Sequence, residues 1–242
     1  MSPPRVLVFA GLDPSGRAGL LADGEAVRAA GATPVLCATA IAAQTGRRLL
    51  RVDPVPLAAI EAQARAALED GPVAAVKLGM LGTREILEAL AALLEGPLAG
   101  VPVVVDPVLE TSRGGALYAG APHDYRRLMP RAALVTPNLA EAGTLSGIGC
   151  RDEAAMLTAA QALLDQGARA VLVKGGHLSG APADLLACAD RRTWLRGERS
   201  EAKKRGTGCR LASAIAAGLA LGRPLEESVA RGVAQVRAWL AA

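Results

Sequence analysis

A glycine-rich segment near the end of the chain carries the strongest local signal for chemistry. Gly206-Thr207-Gly208-Cys209 is followed by an apolar stretch with helical periodicity. Glycines let the backbone turn tightly and approach a ligand closely. A helix that begins there adds unpaired N–H groups and the positive end of its dipole, which can hold the charge of a transferring phosphoryl group. The segment predicts an anion-binding loop, and the alternative is a glycine-rich helix start around a buried cysteine.

Lysine is rare in this chain, so its positions are informative. Arginine is the usual cation, and the only lysines are Lys77, Lys174, Lys203 and Lys204. Lys174 falls at the end of a predicted strand, where a compact ammonium suits a phosphate contact. Lys203 and Lys204 lie just before the glycine-rich segment, where a solvated loop is an equally good interpretation.

Cys209 is the candidate base. It is predicted in the first turn of a helix beside cations, and both effects lower the pKa of a thiol. A thiolate there can accept a proton from a substrate hydroxyl. Cys37, Cys150 and Cys188 lie in strand-like or turn settings typical of packing residues. No two cysteines have C-x-x-C spacing, so we expect free thiols in a cytoplasmic protein.

Short apolar runs alternate with amphipathic stretches, and these elements must position the reactive residues. Strands are predicted at residues 6–11, 33–42, 73–79, 101–106, 132–137 and 168–175, with a hairpin of 185–189 and 193–196. Helices are predicted at residues 17–30, 57–69, 83–95, 139–145, 152–166, 207–221 and 225–240. Near-continuous apolar strands separated by helices indicate an α/β fold, with a mostly parallel sheet flanked by helices on both faces.

Length and composition narrow the class of protein. The 242 residues are 51% apolar and 21% charged, which predicts a single globular domain over residues 1–242. No apolar run reaches the length of a membrane span, and the N-terminus lacks the features of a secretory signal. The net charge is +4, but the arginines are scattered and few aromatic residues can stack on bases. We therefore expect no nucleic-acid or membrane partner.

Polar residues recur where the predicted strands end. They are Asp13, Lys77, Asp106, Asn138 and Lys174. Ligands bind at this edge of a parallel sheet, so the recurrence indicates an enzyme. Strand ends also face solvent in any α/β domain, so the pattern is not sufficient alone.

Seven ordered segments resemble the hydroxymethylpyrimidine/phosphomethylpyrimidine kinases of the ribokinase-like superfamily. They are G-x-D-P-S-G-x-A-G at 11–19, A-x-Q-T at 42–45, K-x-G-M-L at 77–81, D-P-V at 106–108, T-P-N-x-x-E-A at 136–142, K-G-G-H at 174–177 and G-T-G-C at 206–209. The resemblance implies a ribokinase-like fold, with ATP and Mg²⁺ as cofactors. It further implies phosphorylation of a pyrimidine hydroxymethyl group, and then of the resulting monophosphate, in thiamine biosynthesis.

The resemblance also implies roles for single residues. Asn138 and Glu141 match the metal-side pair, Asp106 supports the metal or the phosphates, and Lys174, Thr207 and Gly208 bind the nucleotide phosphates. The residues implied to frame the pyrimidine are Asp13, Ala18, Asp23, Gln44, Met80 and Val108. Structural alternatives remain for several of these. Asn138 is also a good helix cap, Asp106 a strand-end turn residue, Met80 and Val108 core residues, and Asp23 a helix-surface carboxylate.

The chain departs from the family pattern mainly by gaining arginines. They are Arg17, Arg113, Arg205 and Arg210, and Leu21 stands where glutamine is common. Guanidinium groups can recruit a phosphorylated substrate through bidentate contacts, or they can fill the pocket. Two further hypotheses therefore stay open, a pyridoxal kinase and a non-catalytic paralogue that binds a pyrimidine or nucleotide. A homodimer is compatible with this class, although no segment predicts one.

Overall fold

The computed structural model describes residues 2–45, 47–111, 114–176, 178, 181–198 and 204–242. Predictions made for Arg113, His177 and Lys203 lie outside these residues. Within the described ranges, no helix is long and apolar enough to cross a membrane.

One sheet of nine strands organises the described part of the chain. The strands are β1 (Arg5–Leu12), β2 (Thr33–Gln44), β3 (Leu49–Pro54), β4 (Ala75–Leu78), β5 (Val103–Val105), β6 (Leu134–Val135), β7 (Ala170–Val173), β8 (Ala183–Cys188) and β9 (Arg192–Arg196). Their spatial order is β3-β2-β1-β4-β5-β6-β7-β8-β9. Strands β2, β1, β4, β5, β6 and β7 are parallel, while β3, β8 and β9 add antiparallel strands at the two edges. The predicted α/β, mostly parallel architecture is confirmed.

Helices cover both faces of this sheet. They are α1 (Gly19–Ala29), α2 (Leu57–Glu69), α3 (Arg84–Glu95), α4 (Leu139–Ser146), α5 (Glu153–Asp165), α6 (Thr207–Ala220) and α7 (Leu225–Ala241), with short 3-10 helices at Pro122–Arg127 and Met129–Arg131. Side chains alternate across a strand, so β1 supplies Leu7 and Phe9 to the core under α2 to α5. The same strand supplies Val6 and Val8 to the core under α1, α6 and α7.

Two differences from the predicted elements have simple causes. Strand β3 was not predicted, because it is an edge strand whose exposed residues show no buried periodicity. Helix α1 begins at Gly19 rather than at residue 17, because Ala18 is still extended and Gly19 has a φ of 60°. Both differences affect the site, since β3 borders it and the loop before α1 forms part of it.

Candidate active site

The loops that begin α1 and α6 pack backbone against backbone. Gly206 has a φ of 85°, and a Cβ built on it would lie 2.0 Å from the carbonyl oxygen of Arg17. Gly19 has a φ of 60°, and a Cβ there would lie 2.1 Å from the carbonyl oxygen of Gly11. Only glycine combines this conformation with such close approach, so both glycines are needed to bring the start of α6 against the end of β1.

The glycine loop lies over a buried ion pair at the carboxyl edge of the sheet. Lys174 Nζ donates a 2.8 Å hydrogen bond to Asp106 Oδ1, and Thr136 Oγ1 donates to the same oxygen at 3.3 Å. A Cβ on Gly208 would lie 3.0 Å from Lys174 Nζ. Burial disfavours the lysine's charge, but the carboxylates of Asp106 and Glu141 outweigh it and raise the pKa of Lys174. Lys174 therefore stays an ammonium directly beneath the loop.

A capping box fixes the start of α4 beside this lysine. Asn138 Oδ1 accepts from the Glu141 N–H at 2.9 Å, and Glu141 Oε2 accepts from the Asn138 N–H at 2.7 Å. The capping role considered for Asn138 is therefore present, and it holds Glu141 Oε2 4.0 Å from Lys174 Nζ. Burial raises the pKa of Glu141 to about 7, against the opposing effect of Lys174. The carboxyl group of Glu141, beside Asp106 and Asn138, thus has a pKa near neutrality.

The predicted Mg²⁺ residues do not form a dedicated cage. No group of three or more His, Cys, Asp and Glu side chains in the described ranges is arranged to hold a metal ion. Asp106 Oδ1 is taken by Lys174 and Glu141 Oε2 by the cap, which leaves the second oxygen of each carboxylate for other contacts. This donor set fits Mg²⁺, which keeps several waters and binds through one or two carboxylates plus substrate phosphates.

A second ion pair, between Lys77 and Asp23, is fully buried behind the loop. Lys77 Nζ lies 3.0 and 2.9 Å from the two carboxylate oxygens of Asp23, and neither side chain has exposed surface. Ser213 Oγ donates to Asp23 Oδ1 at 2.8 Å. Burial lowers the pKa of Lys77, yet the negative charge of Asp23 and its neighbours more than offsets this and the net shift is upward. Ser213 was not predicted, although it lies one helical turn after Cys209 and so on the same face of α6.

The predicted pKa shift of Cys209 is wrong in direction. The half-buried thiol lies in the first turn of α6. Burial raises its pKa to about 11, and the charges of Asp23 and Asp106 act in the same direction. Lys77 and the Gly19 N–H oppose this shift without reversing it. The helix terminus and the cations were recognised from the sequence, whereas the two carboxylates were not placed near the thiol.

Met80 and Val108 lie in a small apolar cluster that is separate from the two main cores. Besides these two residues, its members are Ala40, Leu49, Val52 and Leu117. Leu49 pairs with Gln44 at the irregular end of the β2–β3 ladder. Gln44, Met80 and Val108, which the family resemblance assigns to the pyrimidine, therefore lie on or beside neighbouring segments.

Two other residues assigned to the pyrimidine, Asp13 and Asp23, make polar contacts within the protein. Asp13 is 2% exposed, and its two oxygens accept from the N–H and hydroxyl of Ser15 at 2.9 and 2.8 Å. Asp23 has no exposed surface and binds Lys77. The helix-surface alternative for Asp23 is therefore wrong, while the assignment of Asp13 and Asp23 to the pyrimidine stays a prediction. Ala18 stays half-buried in the loop before α1, against Gly206.

The described arginines do not fill the phosphate region. Arg205 donates to Gln44 and to the Thr45 carbonyl, while Arg17 is exposed. Arg210 turns away from the loop: it binds Glu25 at 2.6 Å, and its guanidinium lies 4.4 Å from the ring centroid of Trp239. The Arg205–Gln44 contact joins residues 161 positions apart, and no local signal in the sequence reveals it.

Comparison with known proteins agrees with this geometry. A family model described as phosphomethylpyrimidine kinase matches residues 13–242. The hydroxymethylpyrimidine/phosphomethylpyrimidine kinase of Streptomyces coelicolor is 41% identical over 232 residues, which cover 95% of this chain and 86% of that protein. The structure of Clostridium difficile phosphomethylpyrimidine kinase has a TM-score of 0.84 at 31% identity, covering 98% of this chain and 99% of that one. Staphylococcus aureus pyridoxal kinase, solved with AMP-PCP and pyridoxal, has a TM-score of 0.88 at 33% identity, covering 98% and 87%.

A glycine loop over a lysine at the carboxyl edge of this sheet defines the protein as a kinase of the ribokinase-like fold. Within that class, the chain belongs to the phosphomethylpyrimidine kinase family.

Proposed function

We propose that this protein transfers the γ-phosphoryl group of ATP to the hydroxymethyl group of hydroxymethylpyrimidine and then to the resulting monophosphate, in thiamine biosynthesis. The observation that carries the proposal is the position of Gly208, directly over Lys174 Nζ and at the start of α6. Family membership supplies the substrate class. The partly buried members of the apolar cluster, Leu49, Val52 and Val108, offer apolar area suited to a flat heteroaromatic ring.

The chain's own residues contribute mainly position and charge, which is what phosphoryl transfer requires. The N–H groups at the start of α6 would bind the oxygens of the transferring group, with Lys174 adding positive charge. Asp106 and Glu141 would hold Mg²⁺, which supplies further positive charge to the phosphate oxygens when it is bound with ATP. Asp106 also keeps Lys174 ionised and in place.

We propose that Cys209 accepts the proton of the substrate hydroxyl, with one condition set by the structure. With a pKa of about 11, only about one thiol in ten thousand is ionised at about pH 7. A resident thiolate is therefore rare, and because only the thiolate can accept the hydroxyl proton, the rate through Cys209 should follow the thiolate fraction and rise with pH.

The test is ADP release by the purified protein with Mg·ATP and hydroxymethylpyrimidine, and then with its monophosphate. We expect turnover of about 1–100 per second with at least one of them. Absence of turnover with both, in protein shown to be folded, would contradict the proposal.

Pyridoxal kinase activity is the second candidate, favoured by the likeness to the Staphylococcus aureus pyridoxal kinase. The same assay with pyridoxal separates the two, and a clear preference for pyridoxal would replace our proposal. The non-catalytic alternative loses its motivation at Arg205 and Arg210, because both are engaged outside the phosphate region.

We also propose a cytoplasmic location and a single domain over residues 1–242. All four cysteines are unpaired, as is usual in a reducing compartment. One sheet takes strands from β1 to β9, and the C-terminal helices α6 and α7 share a core with β1. Association into a homodimer stays a prediction.

A further inference from the structure

Arg205 joins the start of the phosphate loop to the end of β2. One terminal nitrogen of its guanidinium lies 2.7 Å from Gln44 Oε1, and the other lies 2.9 Å from the carbonyl oxygen of Thr45. The two acceptors belong to consecutive residues, so a single planar fork binds both at once. A lysine at this position has no second branch with which to repeat the arrangement.

This contact determines which way the Gln44 amide faces. A guanidinium has only donors and no acceptor, so the amide atom beside Arg205 must be the carbonyl oxygen. The amide nitrogen is then presented on the other side as a donor. Without a charged partner, the two orientations of a glutamine amide differ little in energy and both can be populated.

The amide borders open space next to an apolar surface. A shallow cleft that opens to solvent is lined by Gln44, Thr45, Arg48, Leu49, Thr111 and Arg205. Leu49 also belongs to the apolar cluster that contains Met80 and Val108. A fixed donor at the rim of an apolar surface recognises a ring that carries a hydrogen-bond acceptor, such as the ring nitrogen of a pyrimidine.

We infer that Arg205 is a positioning residue that selects substrates with a ring acceptor, by holding the Gln44 amide with its nitrogen toward the substrate. The inference rests on the proposed function and deepens it. Removing the guanidinium frees the amide to turn, which weakens the ring contact and leaves the phosphate loop's own N–H groups in place. The effect therefore falls on substrate recognition rather than on ATP.

The experiment compares three substrates in wild type and variants. The substrates are hydroxymethylpyrimidine and two aminopyridine analogues, each with one ring nitrogen replaced by C–H. We expect wild type to disfavour one analogue by about tenfold in kcat/KM, which is the value of one well-placed hydrogen bond. Arg205→Met should raise the KM of hydroxymethylpyrimidine by about three- to tenfold and remove most of the discrimination against that analogue, with the KM of ATP unchanged. Arg205→Lys should keep this discrimination only in part.

Two further variants distinguish a positioning role of Arg205 from a general loss of structure. Gln44→Glu keeps the partner of Arg205 but removes the donor, so it should lose the same discrimination while its thermal midpoint stays near that of wild type. Arg51→Gln is the matched control, because this exposed arginine lies on β3 opposite Ala43 and pairs with Asp53 instead. It should behave as wild type.

The inference is overturned if Arg205→Met discriminates among the three substrates as wild type does. It is also overturned if that variant raises only the KM of ATP or of the monophosphate, since Arg205 would then act on phosphate. Absence of turnover by wild type with every pyrimidine would overturn the proposed function and this inference together. Turnover by wild type with unaltered discrimination in the variant would overturn the inference alone.

Discussion

Removing Lys77 should destabilise the protein in a way that depends on pH. Lys77→Met leaves the Asp23 carboxylate without exposed surface and with one remaining donor, Ser213 Oγ. Breaking a buried pair by removing one partner typically costs about 3–5 kcal/mol. A buried carboxylate that has lost its partner can also be neutralised by binding a proton. Starting from the ordinary aspartate pKa of 3.8, protonation at about pH 7 costs about 4 kcal/mol, which sets the upper limit.

The stability lost in Lys77→Met should depend on pH. Asp23 in the variant has a raised folded-state pKa, so the native state binds a proton that the unfolded state releases at neutral pH. The variant's deficit should fall by about 1.4 kcal/mol for each pH unit below neutrality, to about 2 kcal/mol near pH 5. Urea unfolding followed by far-UV circular dichroism at several pH values measures this.

Matched variants make the test of the buried pair specific. Lys77→Met/Asp23→Asn should be more stable at neutral pH than Lys77→Met, since no buried charge remains. Arg51→Gln removes one partner of an ion pair whose side chains are 75% and 43% exposed, and it should change stability little. A Lys77→Met deficit that is absent, or equal at all pH values, would show that Asp23 is not an ionised buried partner.

Three further predictions follow from the site. The folded pKa of Glu141 is about 7, so wild type should lose up to about 3 kcal/mol of stability as the pH rises from about 4.5 to 7 and this carboxyl ionises. Glu141→Gln should show no such loss in unfolding experiments. Equal pH profiles for the two proteins would refute the raised pKa. If Cys209 is the base, turnover should rise about tenfold for each pH unit above neutrality. In steady-state assays Cys209→Ala should lack that rise, and full activity of this variant would exclude Cys209 as the base. Gly206→Ala should destabilise more than Gly222→Ala by thermal unfolding, because both glycines have positive φ (85° and 76°) but only at Gly206 would the Cβ meet backbone; equal losses would show that strain in φ alone matters.

The sequence predicted the site well wherever chemistry followed from local pattern. A parallel sheet brings its strand ends to one edge, so Lys174, Asp106 and Asn138 could be grouped before any contact was known, and they do meet. The glycine loop at 206–209 was recognisable for the same reason. Its residue types specify both a tight turn and a helix start.

The burial of individual side chains and their contacts with residues distant in sequence could not be predicted from local pattern. Asp23 was interpreted as either a ligand residue or a surface carboxylate, because sequence spacing does not reveal that Lys77 and Ser213 enclose it. The raised pKa of Cys209 has the same origin, since it depends on two carboxylates from distant elements. Local pattern gives the types of residue at the site, while the balance of burial and charge depends on the packing of α1 and α6 against the sheet.

The arginines that suggested an altered pocket stabilise the loop from outside it. Arg205 holds one side to the end of β2, and on the other side Arg210 holds the first turn of α6 to Glu25 and Trp239. Glycines give a phosphate loop the conformation it needs, but they lose more conformational freedom on folding than other residues. Contacts on both flanks reduce the freedom that remains without occupying the anion site. The arginines at positions 205 and 210 therefore do not by themselves indicate an additional phosphate ligand, because protein partners outside the anion site hold both guanidinium groups.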